Sequence, residues 1–177
     1  MQKYNSEGNL IATTEEGLKN FWDWFGDSKV VDSQGRPLVV YHGTDAKFDV
    51  FDTKTYGGSF GFGAYFSDSY AVAESYGKNV FETYLKIENP LIINNKNIRY
   101  ADDSYAKTNR YDGIINDDYI NGFRAVEYIV FEQTQIKSVN NKGTFNPNSS
   151  NIYESIEEMC KLAGIVKWSY IMQLFLN

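Results

Sequence analysis

The sequence predicts a single domain of the α+β class, and three observations carry that expectation. A helix-period pattern opens the chain, and short runs of strand length recur from residue 38 onward and dominate the second half. No period of about 20 to 50 residues returns, which argues against a repeat array. At 177 residues, 42 % of them hydrophobic and 16 % aromatic, the chain can bury one core.

Thr13 followed by Glu16 reads as a capping box, and Leu18, Phe21, Trp22 and Phe25 recur at helical spacing until Gly26. The cluster Phe21, Trp22, Trp24 and Phe25 is core material without assigned chemistry. "DSQGRP" at 32–37 is turn chemistry that leads into the apolar run "LVVYHG", read as a strand buried on both faces. From Asp45 to Phe62 the composition shifts to Gly, Asp, Thr and Lys, as in a long surface loop.

Asp68 is placed to cap a helix from Ser69 to Tyr76, ended by Gly77. "VFETYLKIE" alternates as a half-exposed strand, with Phe81, Thr83, Leu85 and Ile87 on one side. "GII" at 113–115, "VEYIVF" at 126–131 and "IKSV" at 136–139 are further strands, and the acid-rich "ADD" and "NDD" read as solvated turns. "NKGTFNPNSSN" at 141–151 looks like a terminating linker. The expected division is a domain at 1–148 and a helical tail at 149–177, where Ile152, Ile156, Met159, Ala163, Val166 and Tyr170 form a stripe.

A net charge of −6 and a pI of 4.8 disfavour broad phosphate contact with nucleic acid but leave a local basic groove open. One cysteine, Cys160, makes no intrachain disulfide, and neither an exported leader nor a membrane span is legible, so the expected location is cytoplasmic. With one histidine and one cysteine the chain lacks the means for typical zinc clusters, and no calcium loop spacing occurs; no metal is expected. A serine triad would need His42, yet no Gly-x-Ser-x-Gly elbow is present. Gly58 and Gly63 have phosphate-loop spacing but are followed by Ala64 and Tyr65, and Phe66 stands where a dinucleotide fingerprint needs glycine.

What survives is a set of functional residue types: His42, Gly43, Tyr65, Tyr76 and Glu127. "YHGT", "GFGAYFSDSYAVAESYG" and "AVEYIVFE", in that order, resemble the three core motifs of ADP-ribosyltransferases of the histidine-tyrosine-glutamate class, to which diphtheria toxin and the poly(ADP-ribose) polymerases belong. "FWDWFGDSKVVDSQGRPLVVYHGT" and "EQTQIKSVNNKGTFNPN" look closer still to the ADP-ribosyltransferase domains of phage and mobile-element polyvalent proteins. The likeness spans roughly residues 19 to 148, and the ordered triple makes it specific.

The resemblance implies an ADP-ribosyltransferase fold, two small, mostly antiparallel sheets around an NAD+ cleft with flanking helices. It also implies NAD+ as the substrate, cleaved between nicotinamide and ribose. By that likeness Glu127, His42 and Tyr65 form the catalytic set, Glu127 holding the ribose 2′-hydroxyl and stabilising an oxocarbenium-like state. Tyr65 and Tyr76 would sandwich the cationic ring. His42, Gly43, Thr44, Gly63, Phe66 and Ala73 would complete the cofactor-binding set, Gly43 admitting the carboxamide and Gly61 and Gly63 keeping the loop thin. Ala73 replaces a serine found in many polymerase relatives, and Ala125 replaces the second acid of arginine-modifying relatives, so arginine is a poor acceptor. Asp117 to Ala125 falls where the family presents its acceptor loop, with Tyr119, Phe123 and Arg124 as candidates.

The implied activity is mono-ADP-ribosyl transfer to an acceptor, a protein first, with a nucleic acid acceptor open. Two alternatives stand beside it: NAD+ hydrolysis, and a catalytically silent domain that binds NAD+ or a partner. Taken singly, His42 reads as a structural histidine, the two tyrosines as half-buried aromatics and Glu127 as a solvated acid.

Overall fold

A computed structural model describes residues 1–55, 57–93, 101–120 and 123–154. Helix α1 spans Glu15–Phe25. Its N-cap is Thr14, whose hydroxyl accepts from the Gly17 amide at 3.0 Å, one residue beyond the expected Thr13. Gly26 ends it with φ 57°. The apolar side of α1 buries Leu18, Phe21, Trp24 and Phe25 against Ile11, Val39, Tyr84 and Phe145, with Phe21 in ring contact with Tyr84 at 5.0 Å.

The strands are β1 (Val40–Thr44), β2 (Gly57–Gly58), β3 (Gly61–Phe62), β4 (Ala64–Ser67), β5 (Asn79–Leu85), β6 (Pro90–Ile93), β7 (Gly113–Ile120), β8 (Phe123–Val130) and β9 (Ile136–Ser138). Helices α2 (Tyr70–Glu74) and α3 (Asp103–Thr108) lie between them. Seven strands form one mixed sheet in the order β6-β7-β8-β4-β1-β5-β9, and β2-β3 is a separate ribbon. The architecture is α+β, but the expected pair of sheets is joined into one. The junction is thin: β1 and β4 share the single register pair Tyr41↔Ser67, whereas β1 and β5 share five. Beyond that pair the two halves of the sheet part, which leaves room for a cleft.

One face of the sheet carries Val40, Phe66, Phe81, Leu85, Tyr128 and Val130, covered by Val30, Phe51 and Ile152. The loop before the ribbon, expected to be surface, thus contributes a buried ring. The other face packs α1 over β5 and, at the far edge, Ala106 of α3 against Ile114, Ile129 and Phe131. Tyr84 is 1 % exposed rather than half-exposed, because α1 and Asn5, whose amide donates to its hydroxyl at 2.9 Å, cover that side of β5.

Several elements differ from expectation for local reasons. The N-cap of α2 is Ser69, not Asp68; Asp68 instead accepts from the Val126 amide at 2.9 Å and ties β4 to β8. "ADD" is no turn: Asp102 caps α3, accepting from the Tyr105 amide at 2.7 Å. "NDD" lies inside β7, and Asp117 to Ala125 belongs largely to the β7–β8 hairpin rather than a loop. Phe145 in the 141–151 segment is 1 % exposed, so that stretch packs on the core. Ile156, Met159, Cys160, Ala163, Val166 and Tyr170 lie outside the described residues.

Two glycines fix α2 against β1. A β-carbon on Gly43 would overlap the Ala73 carbonyl group, and one on Gly77 would overlap the Thr44 backbone. Both obstacles are backbone, so neither can rotate away. Gly43→Ala is expected to lower stability by roughly 1–3 kcal/mol through displacement of α2, read as a lower denaturant midpoint at an unchanged slope.

Candidate active site

The strand registers place Tyr41, Ser67, Glu127 and Asn116 in one line across β1, β4, β8 and β7. Period-two alternation puts all four on the sheet face that also carries Gly43 and Tyr65. A cavity of about 220 Å³ opens over this line, where β1 and β4 part. Tyr41, Ser67 and Glu127 border it from the sheet, Val72, Ala73 and Tyr76 from α2 and its end, and Gly58 and Ser59 from the ribbon.

Tyr65 is held by its hydroxyl. That oxygen accepts from the Gly58 and Phe60 amides at 3.0 and 3.1 Å and donates to the Gly61 carbonyl at 2.6 Å. With its polar end spent on the ribbon, the ring offers the cavity a fixed aromatic surface. Burial pushes its phenol up from the usual tyrosine value. Gly58 is required here, since a β-carbon would stand 2.7 Å from the Tyr65 ring.

His42 bridges the parting strands. Its Nδ1 lies 2.7 Å from the Tyr65 carbonyl oxygen, and because a carbonyl only accepts, Nδ1 carries the proton and Nε2 keeps a lone pair. Phe51 and Phe66 flank the imidazole at 5.0 and 5.5 Å. Burial lowers its pKa and outweighs the hydrogen bond to Tyr65, which acts in the opposite sense. The folded state therefore binds fewer protons than the unfolded one between the depressed value and about 6.5. The contribution of His42 to stability is complete above that window and declines as pH falls through it. Denaturant titrations from pH 7.5 down to about 5 should show this decline, and His42→Asn, which removes the chain's one histidine, should flatten it.

Glu127 is partly buried, and burial pushes its carboxyl up, while a hydrogen bond from the Asn116 side chain pulls it down. Among the described residues no lysine or arginine lines the cavity. Among the described lining residues Glu127 supplies the one carboxyl, which in its ionised form suits the site to a cation. Tyr76 stands at the rim, 58 % exposed, beside the end of α2.

The structure brings His42, Gly43, Tyr65, Phe66, Ala73, Tyr76 and Glu127 to this one cavity. Thr44 and Gly63 are not among its lining residues. Thr44 turns its hydroxyl to the Ala46 amide at 3.2 Å, and Gly63, with φ 156°, makes room for Ile129 and Val130. Gly61 makes room for Asp103. Phe66 sits mostly in the opposite core, 2 % exposed. Tyr41, Gly58, Ser59, Ser67 and Val72 line the site without having been expected there. Alternation was the available signal for two of them, since Tyr41 lies two residues before Gly43 and Ser67 two after Tyr65.

Among the described residues no group of three or more His, Cys, Asp and Glu side chains gathers to hold a metal, and no helix is long and apolar enough to cross a membrane. No curated protein matches the chain. Residues 32–107 match the family of ADP-ribosyltransferases in polyvalent proteins, a span that holds His42 through Tyr76 and stops short of Glu127. That match supports an ADP-ribosyltransferase domain of the kind found in polyvalent proteins.

Proposed function

We propose that the cavity binds the nicotinamide end of NAD+, cleaves the bond between nicotinamide and ribose, and passes a single ADP-ribosyl group to an acceptor, a protein in the first instance. The observation that carries this reading is the convergence of Tyr65, Tyr76, Gly43, His42 and Glu127 on one cavity whose described lining residues include no lysine or arginine. A flat cationic ring is attracted to aromatic faces, and the fixed Tyr65 ring supplies one without reorganising. Tyr76 at the rim supplies the second wall.

The chemistry needs little more. As the carbon–nitrogen bond breaks, its electron pair returns to the ring nitrogen, so nicotinamide leaves neutral and requires no general acid. The ribose carbon becomes positive, and Glu127 stabilises it while accepting a hydrogen bond from the 2′-hydroxyl. The Nε2 lone pair of His42 accepts from a ribose hydroxyl and fixes the pose. An acceptor nucleophile then bonds to that carbon and loses a proton to solvent or to Glu127. The β7–β8 hairpin supplies the acceptor side, where Arg124, exposed and 3.5 Å from the Asp117 carboxylate, can exchange that partner for an incoming group.

The test is incubation with NAD+ labelled in its adenylate half, with and without cell lysate. Label that enters protein supports transfer, label recovered as free ADP-ribose supports hydrolysis, and NAD+ bound but intact supports a silent binding domain.

A further inference from the structure

Asn116 has no part in the family motifs, yet it is the direct cross-strand neighbour of Glu127. On the other side it pairs with Ile93 of β6, so it sits inside the sheet and is only 5 % exposed. A buried side-chain amide is costly unless its polar atoms are engaged. Here the amide is engaged with the Glu127 carboxylate. Ser67, the neighbour of Glu127 on β4, accepts from the Ser69 amide at 3.1 Å instead.

The geometry points to Asn116 as a positioning residue for Glu127: from the directly opposed place on β7 its side-chain amide donates to the carboxylate and leaves the other carboxylate oxygen for the cavity. The assignment rests on the proposed role of Glu127 for its functional meaning, though the interaction itself does not. A carboxylate that must face a developing cation has to be both charged and still. Directly opposed residues of an antiparallel pair stand about 4.5–5.5 Å apart between β-carbons, a distance that an asparagine and a glutamate close with one hydrogen bond. Leucine at the same place would keep the volume and remove the donor.

The titratable groups around Glu127 reinforce the need. Tyr65 stands on β4 and Asp68 just past its end, bonded to the Val126 amide; Asp117 follows Asn116 on β7, Tyr41 and His42 stand on β1, and Tyr76 lies just beyond α2. None is a cation at neutral pH, since burial holds His42 neutral. Of the two effects on Glu127, burial opposes its charge and the Asn116 bond favours it.

The experiment follows the Glu127 carboxyl carbon by NMR titration, assigned by its absence in Glu127→Gln, in wild type, Asn116→Leu and Asn116→Asp. Leucine should raise the midpoint by about one pH unit, the size expected for losing a hydrogen bond to a charged group. Aspartate, which keeps the shape, should raise it at least as far, because adjacent carboxylates share a proton. In nicotinamide release, the acid limb of the pH profile should move up in step, with roughly a tenfold loss of maximal rate. An unshifted midpoint and unshifted acid limb in folded Asn116→Asp would overturn the assignment. If wild type releases no nicotinamide at all, the proposed function fails while the titration still decides the role of Asn116.

Discussion

Glu154→Gln is expected to destabilise the protein by about 3–5 kcal/mol, the range for removing one partner from a buried ion pair. The Glu154 carboxylate takes the Lys137 ammonium, the Thr144 hydroxyl and, at 3.0 Å, the Asn146 amide. Both charged side chains are sealed from solvent, at 0 % and 2 % exposure, and Lys137 also donates to the Ser149 carbonyl at 2.9 Å. Glutamine keeps an acceptor but leaves the lysine charge uncompensated in the interior. The pair also holds strain in place: Phe145 and Glu154 have φ of 42° and 49°, a region that costs non-glycine residues roughly 1–3 kcal/mol each. Lys137→Met alone should cost about as much, whereas the double variant Lys137→Met, Glu154→Gln should recover a good part of the loss. A denaturant midpoint series checks this, and additive single losses would show that the pair acts through something other than mutual charge.

The buried pair also explains why the sequence misleads at 141–151. Asn, Ser and Gly composition is that of a linker, and nothing local announces that Lys137 and Glu154 will meet in the interior. Where a signal was local, it was legible. The α1 stripe, the alternation from Phe81 to Leu85 and the strands at 113–115 and 126–131 all stand in the structure, with edges moved by a residue or more. β6 and α3 were missed because they are short and draw their stability from partners far along the chain, Pro90–Ile93 from β7 and Ala106 from Ile114 and Phe131. The cap of α2 moved to Ser69 because a tertiary partner, the Val126 amide, claimed Asp68.

The site divides the same way. Residue type and motif order singled out His42, Gly43, Tyr65, Tyr76 and Glu127, and the fold brings them together. Their supports were not legible, because cross-strand register decides them: Ser67 and Asn116 become neighbours of Glu127 only once β4, β8 and β7 are paired. Glycine roles were hardest to read. Gly43, expected to admit a ligand, makes room for the Ala73 carbonyl, and Gly61 and Gly63 yield to Asp103, Ile129 and Val130. Ile129 and Phe131, on the same face as Glu127, pack with Ala106 of α3, while the cavity opens two residues before Ile129, at Glu127.

Glu127 carries the central claim. Its replacement by glutamine removes the one carboxyl among the described lining residues of the cavity and keeps the side-chain shape. Loss of a preorganised electrostatic partner of a transition state costs roughly 10²–10³-fold in rate. The fold should not suffer: burial already disfavours the ionised form, so the neutral amide relieves desolvation, and Glu127→Gln should melt no lower than wild type at neutral pH. A group whose folded pKa is raised contributes stability below its ordinary value and loses it as pH rises through the folded one, which sets the sign. The most direct measurement is therefore nicotinamide release from NAD+ by wild type and Glu127→Gln at matched fold stability. Release by wild type with a loss of at least about 10²-fold in the variant is the predicted result; equal release by both, or none by folded wild type with lysate present, would contradict the account.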